Sequence, residues 1–469
     1  MPILLVNVVD ASQGKCDVKL GAQQKNITIA IFGFGGRAQW FVRELLKLDT
    51  NIRIAALCDD KAKECLEYEA QVVSQGNKVL FDAYQNAVSG VKTYPDSPEG
   101  INALLAEHPE VDVVFITSTN NRHADHLRAA LKKTSCKNIF MEKPLFRTVQ
   151  EFTDFNGTDL QGKNITIGLT LRYSSMAHIV ASQLQKHQTK LGRLESVKAW
   201  EHLMFSHALT AFIMGSRRLS SIWGGFLLEK SIHDLDLALF FMKSLGIDPV
   251  SIKLNSKSAH TFYTKSHQKE ILDHVLQDTS IANWKAHSHP WWLVDFVKGD
   301  NGKVDWPKTL EKIFEGYPKN DDFEGSDIIP DYHALRAEIQ MPDGKPVVFE
   351  FEVDMGRLSP TMERSLSFVF ENGKVLVDIM ASRMSIEMKD GTVESYDLKT
   401  NNNDHADGDL YIMHTILGKR LPEGYFMATI TDPTVLLANI MALASEEQVL
   451  NKKKDIYLKK INGAWHVSS

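Results

Sequence analysis

A short apolar run rich in β-branched residues, Ile27–Phe32, leads directly into Gly33-Phe34-Gly35-Gly36-Arg37-Ala38 and then an amphipathic stretch ending at Leu48. A run of this kind marks a strand buried on both faces of a parallel sheet. A strand that ends in glycine and turns straight into a helix leaves few folds open. Gly33 permits the tight turn, Gly35 lets the backbone approach a pyrophosphate, and the small Ala38 lets helix pack on strand. Gly36 and Arg37 begin the helix, whose N-terminal N–H groups face the phosphates.

The next strand, Ile52–Cys58, ends in Asp59, 26 residues after Gly33. A carboxylate there can accept hydrogen bonds from the adenosine ribose hydroxyls. It would repel a 2′-phosphate, so NAD is expected over NADP, and Asp60 adds to the repulsion. Asp59 is also placed to cap a helix expected over 61–75, and the two roles can coexist. The β/α alternation continues with a weak strand at 91–94, a helix at 99–107 and a strong buried strand at 111–117. Ser118, Thr119 and Asn120 then form a polar loop able to reach the nicotinamide ribose. His123 lies one turn into the helix that follows, facing the cofactor or packing at the helix start. Strand Asn138–Met141 leads to Glu142-Lys143-Pro144. Open α/β sheets bind ligands at the carboxyl ends of strands, so Lys143 can touch both a cofactor and a substrate. Pro144 disfavours helix at Lys143 and is expected to hold it extended.

Beyond residue 150 a strand is expected at 164–169, a helix at 174–190 and a strand at 195–202. The sharpest constellation runs from Trp223-Gly224-Gly225 through Glu229, Lys230 and His233 to Asp236. On one helix, Glu229 and His233 would share a face. A carboxylate one turn from an imidazole orients it and raises its basicity, which suits a general base near neutral pH. A surface pair, or a cap for the helix expected over 235–245, accounts for the same residues. Asp343-Gly344, Asn372-Gly373 and Asp390-Gly391 each separate strand-like runs, so antiparallel hairpins and a large open sheet are expected. The broad face of such a sheet needs a cover, which argues for a homodimer or homotetramer. The 405–409 stretch, with His405, precedes a helical segment, and Thr431 or Asp432 caps a long one. Residues 261–329 break the rhythm with Trp284, Trp291, Trp292, Trp306, His287 and His289. This insertion either stacks on sugar rings or packs its own core. No third ligand accompanies the two histidines, so no metal is expected.

The chain of 469 residues is long enough for two or three domains: an extension at 1–26, a nucleotide-binding domain at 27–150 and a second α/β domain at 151–469. A net charge of −6 gives no footprint for nucleic acid. Cys16, Cys58, Cys65 and Cys136 form no CxxC and read as structural thiols in a reducing, cytoplasmic setting. No apolar run approaches the ~20 residues of a membrane helix, and residues 1–9 make a poor signal peptide.

In order, the glycine loop, Ser118-Thr119-Asn120 with His123, Glu142-Lys143-Pro144, Arg172, Gly224-Gly225, His233 with Asp236, and the 405–409 stretch resemble the glucose–fructose oxidoreductase / inositol dehydrogenase (Gfo/Idh/MocA) family. The resemblance spans about residues 27–460, apart from most of the insertion. It implies an N-terminal Rossmann domain and a C-terminal α/β domain with a large open, mostly antiparallel sheet. It also implies hydride transfer between a secondary alcohol of a sugar or polyol and nicotinamide. Lys143 would then hydrogen-bond the reacting hydroxyl and the cofactor ribose, and His233 would remove the proton. Glu229 stands where the family's usual residue is aspartate, and Thr119 where proline is common. Arg172, His207, Lys230 and His405 are the candidate substrate contacts. A glycoside-cleaving enzyme using NAD transiently and a non-catalytic NAD sensor are the competing readings.

Overall fold

The computed structural model describes residues 26–133, 136–155, 158–160, 162–284, 296–300, 302–319, 326–398, 404–419, 421, 427–450, 455–461 and 463–468. Residues 1–25 with Cys16, as well as His287, His289, Trp291 and Trp292, lie outside them.

Two sheets organise these residues. The first contains β1 (Ile27–Phe32), β2 (Ile52–Cys58), β3 (Lys92–Tyr94), β4 (Val113–Ile116), β5 (Asn138–Met141) and β6 (Asn164–Ile167). All pair in parallel in the order β3-β2-β1-β4-β5-β6. The central strands are apolar because helices cover both faces: β4 is buried at every position. β6, which the sequence placed at the start of the second domain, is instead the edge of this sheet, with Ile165 and Ile167 buried beside β5. The strand order reverses between β1 and β4, the crevice where such sheets bind ligands. The loops after β1 and β4 meet there. A Cβ on Gly33, whose φ is +82°, would fall 2.4 Å from the Cα of Ser118.

The second sheet contains β7 (Leu194–His202), β8 (Ser251–Ala259), β9 (Tyr332–Gln340), β10 (Val347–Asp354), β11 (Glu363–Phe370), β12 (Gly373–Asp378), β13 (Arg383–Met388), β14 (Val393–Asp397), β15 (Ile456–Ile461) and β16 (Ala464–Ser468). Their order is β14-β13-β12-β11-β7-β10-β9-β8-β15-β16. Every neighbouring pair is antiparallel except β7 with β10. β7 reaches its place through helical connections rather than a hairpin, so no tight turn dictates its direction. The three expected hairpins join β9 to β10, β11 to β12 and β13 to β14. Gly344 and Gly391 adopt the positive φ their turns require.

One face of this sheet is covered. His333, Leu335, Ala337 and Ile339 alternate inward on β9, as do Val347, Phe349, Phe351 and Val353 on β10. The helices Ile232–Ser244 and Pro433–Leu450 pack together over that face and are buried almost all round. The same alternation carries Glu201 of β7 inward with Val197 and Ala199, so a carboxylate is buried by its register. In the insertion Trp306 is buried and Trp284 packs on it at 5.6 Å between ring centroids, which makes a local core. Cys58, Cys65 and Cys136 are buried thiols, and burial pushes those of Cys58 and Cys65 up to about 12. Among the described residues no helix is long and apolar enough to cross a membrane.

Candidate active site

The glycine loop has the shape a pyrophosphate needs. Helix Gly36–Leu48 begins after Gly35 with no side-chain cap, so its N-terminal N–H groups are not met by a neighbouring side chain. A Cβ on Gly35 would meet nothing within 4 Å, which leaves room for close approach. Asp59 closes the turn from β2: Oδ2 accepts from Phe34 N–H at 2.8 Å and Oδ1 from Lys61 N–H at 2.8 Å. A carboxylate has about four acceptor positions, so both oxygens retain capacity for ribose hydroxyls. The expected capping role is not taken up, since the N-cap of helix Ala62–Ser74 is Lys61, which has no side-chain cap, and Asp59 instead bonds the chain just before it.

The loop after β4 is used differently from the sequence expectation. Ser118 Oγ bonds His126 Nδ1 at 2.9 Å, and Thr119 Oγ1 donates to Asn121 Oδ1. Asn120 is buried, and its Nδ2 donates to the Trp223 carbonyl at 2.8 Å and to Glu229 Oε2 at 3.0 Å. His123 is fully buried. Its Nδ1 lies 2.7 Å from the Pro144 carbonyl and its Nε2 lies 3.1 Å from the Ser118 carbonyl. The ring thus braces two loops instead of contacting a cofactor, and burial lowers its pKa. His126, missed from the sequence, extends this support. It stacks on Phe32 and meets Asp96, whose carboxyl is drawn down to about 2 by His126 and Arg122 although burial opposes that.

At the end of β5, Glu142 accepts from Arg37 Nε at 2.8 Å and from the Lys143 N–H. Arg37 also reaches across to Asp409, with Nη1–Oδ2 at 3.0 Å and Nη2–Oδ1 at 2.5 Å. Arg37 therefore ties the glycine loop to helix Asp404–Ile416. The 405–409 stretch lies inside that helix, not before it. Its Gly408 lets the chain approach the Thr170 carbonyl, which a Cβ would meet at 2.0 Å. The side chain of His405 is outside the described residues.

Lys143 precedes a cis bond to Pro144. Its Nζ donates to the Glu229 carbonyl and lies 3.2 Å from Glu229 Oε2. Burial lowers the pKa of Lys143, and the charge of Glu229 opposes that fall. Glu229 and His233 do not share one helix. Glu229 ends the short helix Phe226–Glu229, and His233 sits in the first turn of Ile232–Ser244. The two glycines explain the interruption: Gly224 has φ +96°, and Glu446 fills the space where a Gly225 Cβ would be. Glu446 Oε1 then accepts from the N–H groups of Leu227 and Leu228 and fixes that short helix. The Glu229 carboxylate serves Lys143, Asn120 and Arg217, whose Nε is 3.2 Å from Oε1. Arg217 carries no sequence signal and was not foreseen.

Lys230 pairs with the buried Glu201 at 2.9 Å. Register sets Arg364 of β11 opposite Glu201, and Arg364 grips Asp234 through two bonds of 2.6 and 2.7 Å. His207 is partly buried nearby; burial and the charges of Lys230 and Arg217 push it down to about 4. Arg172, expected at the substrate, is instead sealed in the core. It bonds Asp236 through Nε and Nη2, Asp432 through Nη1 at 2.6 Å and Thr434 Oγ1 at 2.7 Å. Asp432 also caps helix Pro433–Leu450 by accepting from the Thr434 N–H.

A glycine loop and an acidic β2 terminus at the switch point of a parallel sheet define a dinucleotide-binding architecture, with a lysine at the β5 terminus. Residues 27–157 match the Gfo/Idh/MocA family model, described as "Oxidoreductase family, NAD-binding Rossmann fold". The first sheet thus forms an NAD-binding Rossmann domain similar to that family's. None of the curated proteins matches in sequence at a significant level. Several solved structures share the fold over nearly the whole chain. Levoglucosan dehydrogenase in complex with NADH aligns at TM-score 0.54 and 12% identity, over 92% of this chain and 99% of that one. A super-repressor mutant of Gal80p from Saccharomyces cerevisiae aligns at 0.54 and 13%, over 92% and 97%. Biliverdin reductase from Synechocystis, in complex with biliverdin and NADP+, aligns at 0.51 and 12%, over 91% and 99%. At these identities the likeness is one of fold.

Proposed function

We propose that the protein transfers a hydride between nicotinamide and a secondary alcohol of a sugar, cyclic polyol or sugar derivative, with Lys143 and His233 at the reacting hydroxyl. The observation that carries this reading is the Lys143–Glu229 bridge. It holds a largely buried ammonium between the carboxyl end of β5 and the short helix Phe226–Glu229. An ammonium has three donors. Two of them point at the Glu229 carbonyl and carboxylate, which leaves one for a substrate oxygen.

Gly33, Gly35, Gly36, Arg37 and Asp59 would hold NAD along the β1 and β2 termini, with Ser118 and Thr119 toward the nicotinamide end. Bound there, NAD supplies the hydride acceptor. Lys143 orients the hydroxyl and stabilises negative charge that grows on its oxygen, a preorganised electrostatic role. His233 takes the hydroxyl proton as the carbon gives up its hydride. Glu229 acts as a positioning residue, because it fixes Lys143, Arg217 and Asn120 together. A homodimer or homotetramer formed through the polar face of the second sheet belongs to the same reading.

The similarity in fold to a Gal80p mutant keeps the sensor reading in play: it expects NAD binding without turnover. The deciding experiment is a panel of sugars and polyols scored for net NADH formation. Formation with at least one member supports the dehydrogenase. Tight NAD binding with no turnover across the panel supports the sensor, and glycoside cleavage without net NADH supports transient oxidation.

A further inference from the structure

Donors without partners gather beside the Lys143–Glu229 bridge. Arg217 uses only Nε on Glu229, and its guanidinium stacks over Trp223 at 5.5 Å. Among the described residues, Nη1 and Nη2 meet no acceptor, and the side chain is 41% exposed. Lys230 Nζ lies 2.9 Å from Glu201 Oε1 and has three donors to offer. The ring nitrogens of His207 have no hydrogen-bond partner among the described residues. Lys230, Arg217 and Arg364 act on that ring against Glu201, and each of the three has its own carboxylate, Glu201, Glu229 and Asp234. Burial and these cations keep the imidazole neutral, so it cannot add to the repulsion. Counted with Lys143, four cations share these three carboxylates, and such an excess of buried or half-buried cations is costly unless something anionic completes it. The free edge of a guanidinium, with two parallel N–H bonds, matches a planar carboxylate in geometry as well as in charge.

We propose that the substrate is a sugar acid. Its carboxylate takes the terminal nitrogens of Arg217, with Lys230 and His207 beside it, and a secondary hydroxyl on the same molecule lies against Lys143 and His233. This rests on the hydride-transfer reading above and adds the substrate class to it. The binding energy of the carboxylate then serves orientation: one fixed end places one hydroxyl, which Lys143 alone cannot select.

The test compares kcat/KM for matched compounds on the NAD-loaded enzyme: glucose with gluconate, galactose with galacturonate, and glucose 6-phosphate as the other anion. The acids are expected to exceed their neutral parents at least about tenfold, the worth of one charge-assisted hydrogen bond or more. Arg217→Gln should collapse that ratio, and Arg217→Lys should restore part of it, which a merely misfolded site would not do. Equal use of neutral and acidic members would overturn the substrate class while leaving hydride transfer standing. Preference for the phosphorylated sugar over every acid would overturn the carboxylate. If no compound yields NADH, the hydride-transfer reading fails separately. Calorimetry then decides this one: acid binding lost in Arg217→Gln supports it, and no acid binding to the wild-type protein overturns it.

Discussion

Two webs of arginine and carboxylate, one on helix Ile232–Ser244 through Asp236 and one on the short helix Phe226–Glu229 through Glu229, behave as opposites. Arg172 is sealed from solvent, and its guanidinium is filled by Asp236, Asp432 and Thr434. Arg217 meets one carboxylate oxygen and leaves its outer edge to the site. Both residues are arginines near acidic partners, and only the saturation of their donors separates a structural brace from a candidate binding group. The contrast extends to the histidines: both nitrogens of His123 face backbone carbonyls, whereas His207 stands open among cations.

The largest effect expected from this contrast is on stability. Arg172→Met strands Asp236 and Asp432, and removing one member of a buried pair costs about 3–5 kcal/mol. Arg217→Gln breaks a partly exposed pair, for which about 0–1 kcal/mol is typical. Urea unfolding of the two variants measures the difference, and equal losses would erase the distinction. A smaller effect concerns the cofactor. Asp59→Ala should narrow the preference for NAD over NADP by about tenfold, since a hydrogen bond to a charged group is worth about 1.5 kcal/mol or more. An unchanged ratio of the two dissociation constants would remove Asp59 from that role. The smallest effect is in pH dependence. With His207 held down to about 4, the unfolded chain binds a proton that the folded chain refuses between that value and the ordinary 6.5. Stability therefore falls as pH drops through this window and is fully retained above it. His207→Gln should flatten this part of the stability curve relative to wild type; an identical slope would mean that the ring is not held neutral.

Much of the Rossmann half was legible because local rules write it. Parallel strands buried on both faces must be continuously apolar, and the turn at Gly33 admits no side chain against Ser118. The hairpins were legible for a similar reason, since Gly344 and Gly391 need positive φ. The site was only partly legible. Lys143, Glu229 and His233 could be picked out, but the helix assumed to join the last two is broken by the Gly224-Gly225 pair and by Glu446, which approaches from far along the chain. Arg37 with Asp409, Asn120 with Glu229, and Arg172 with Asp432 are separated by 372, 109 and 260 positions. No periodicity encodes such partners, so Arg172 was assigned to a ligand that the packing does not offer it, and the bond from Asn120 to Glu229 was not foreseen. Arg217 had no motif at all and emerged only through its contact with Glu229.

The central proposal is that Lys143 and His233 act on the hydroxyl of a substrate whose carbon gives its hydride to NAD held by the first sheet. Single-turnover NADH formation with the best compound of the panel tests it most directly, measured beside NAD affinity for wild type, Lys143→Ala and His233→Ala. The account predicts a rate lower by at least about 10²-fold in each variant, the scale of general acid–base catalysis, with NAD still bound. A normal rate in His233→Ala would contradict it.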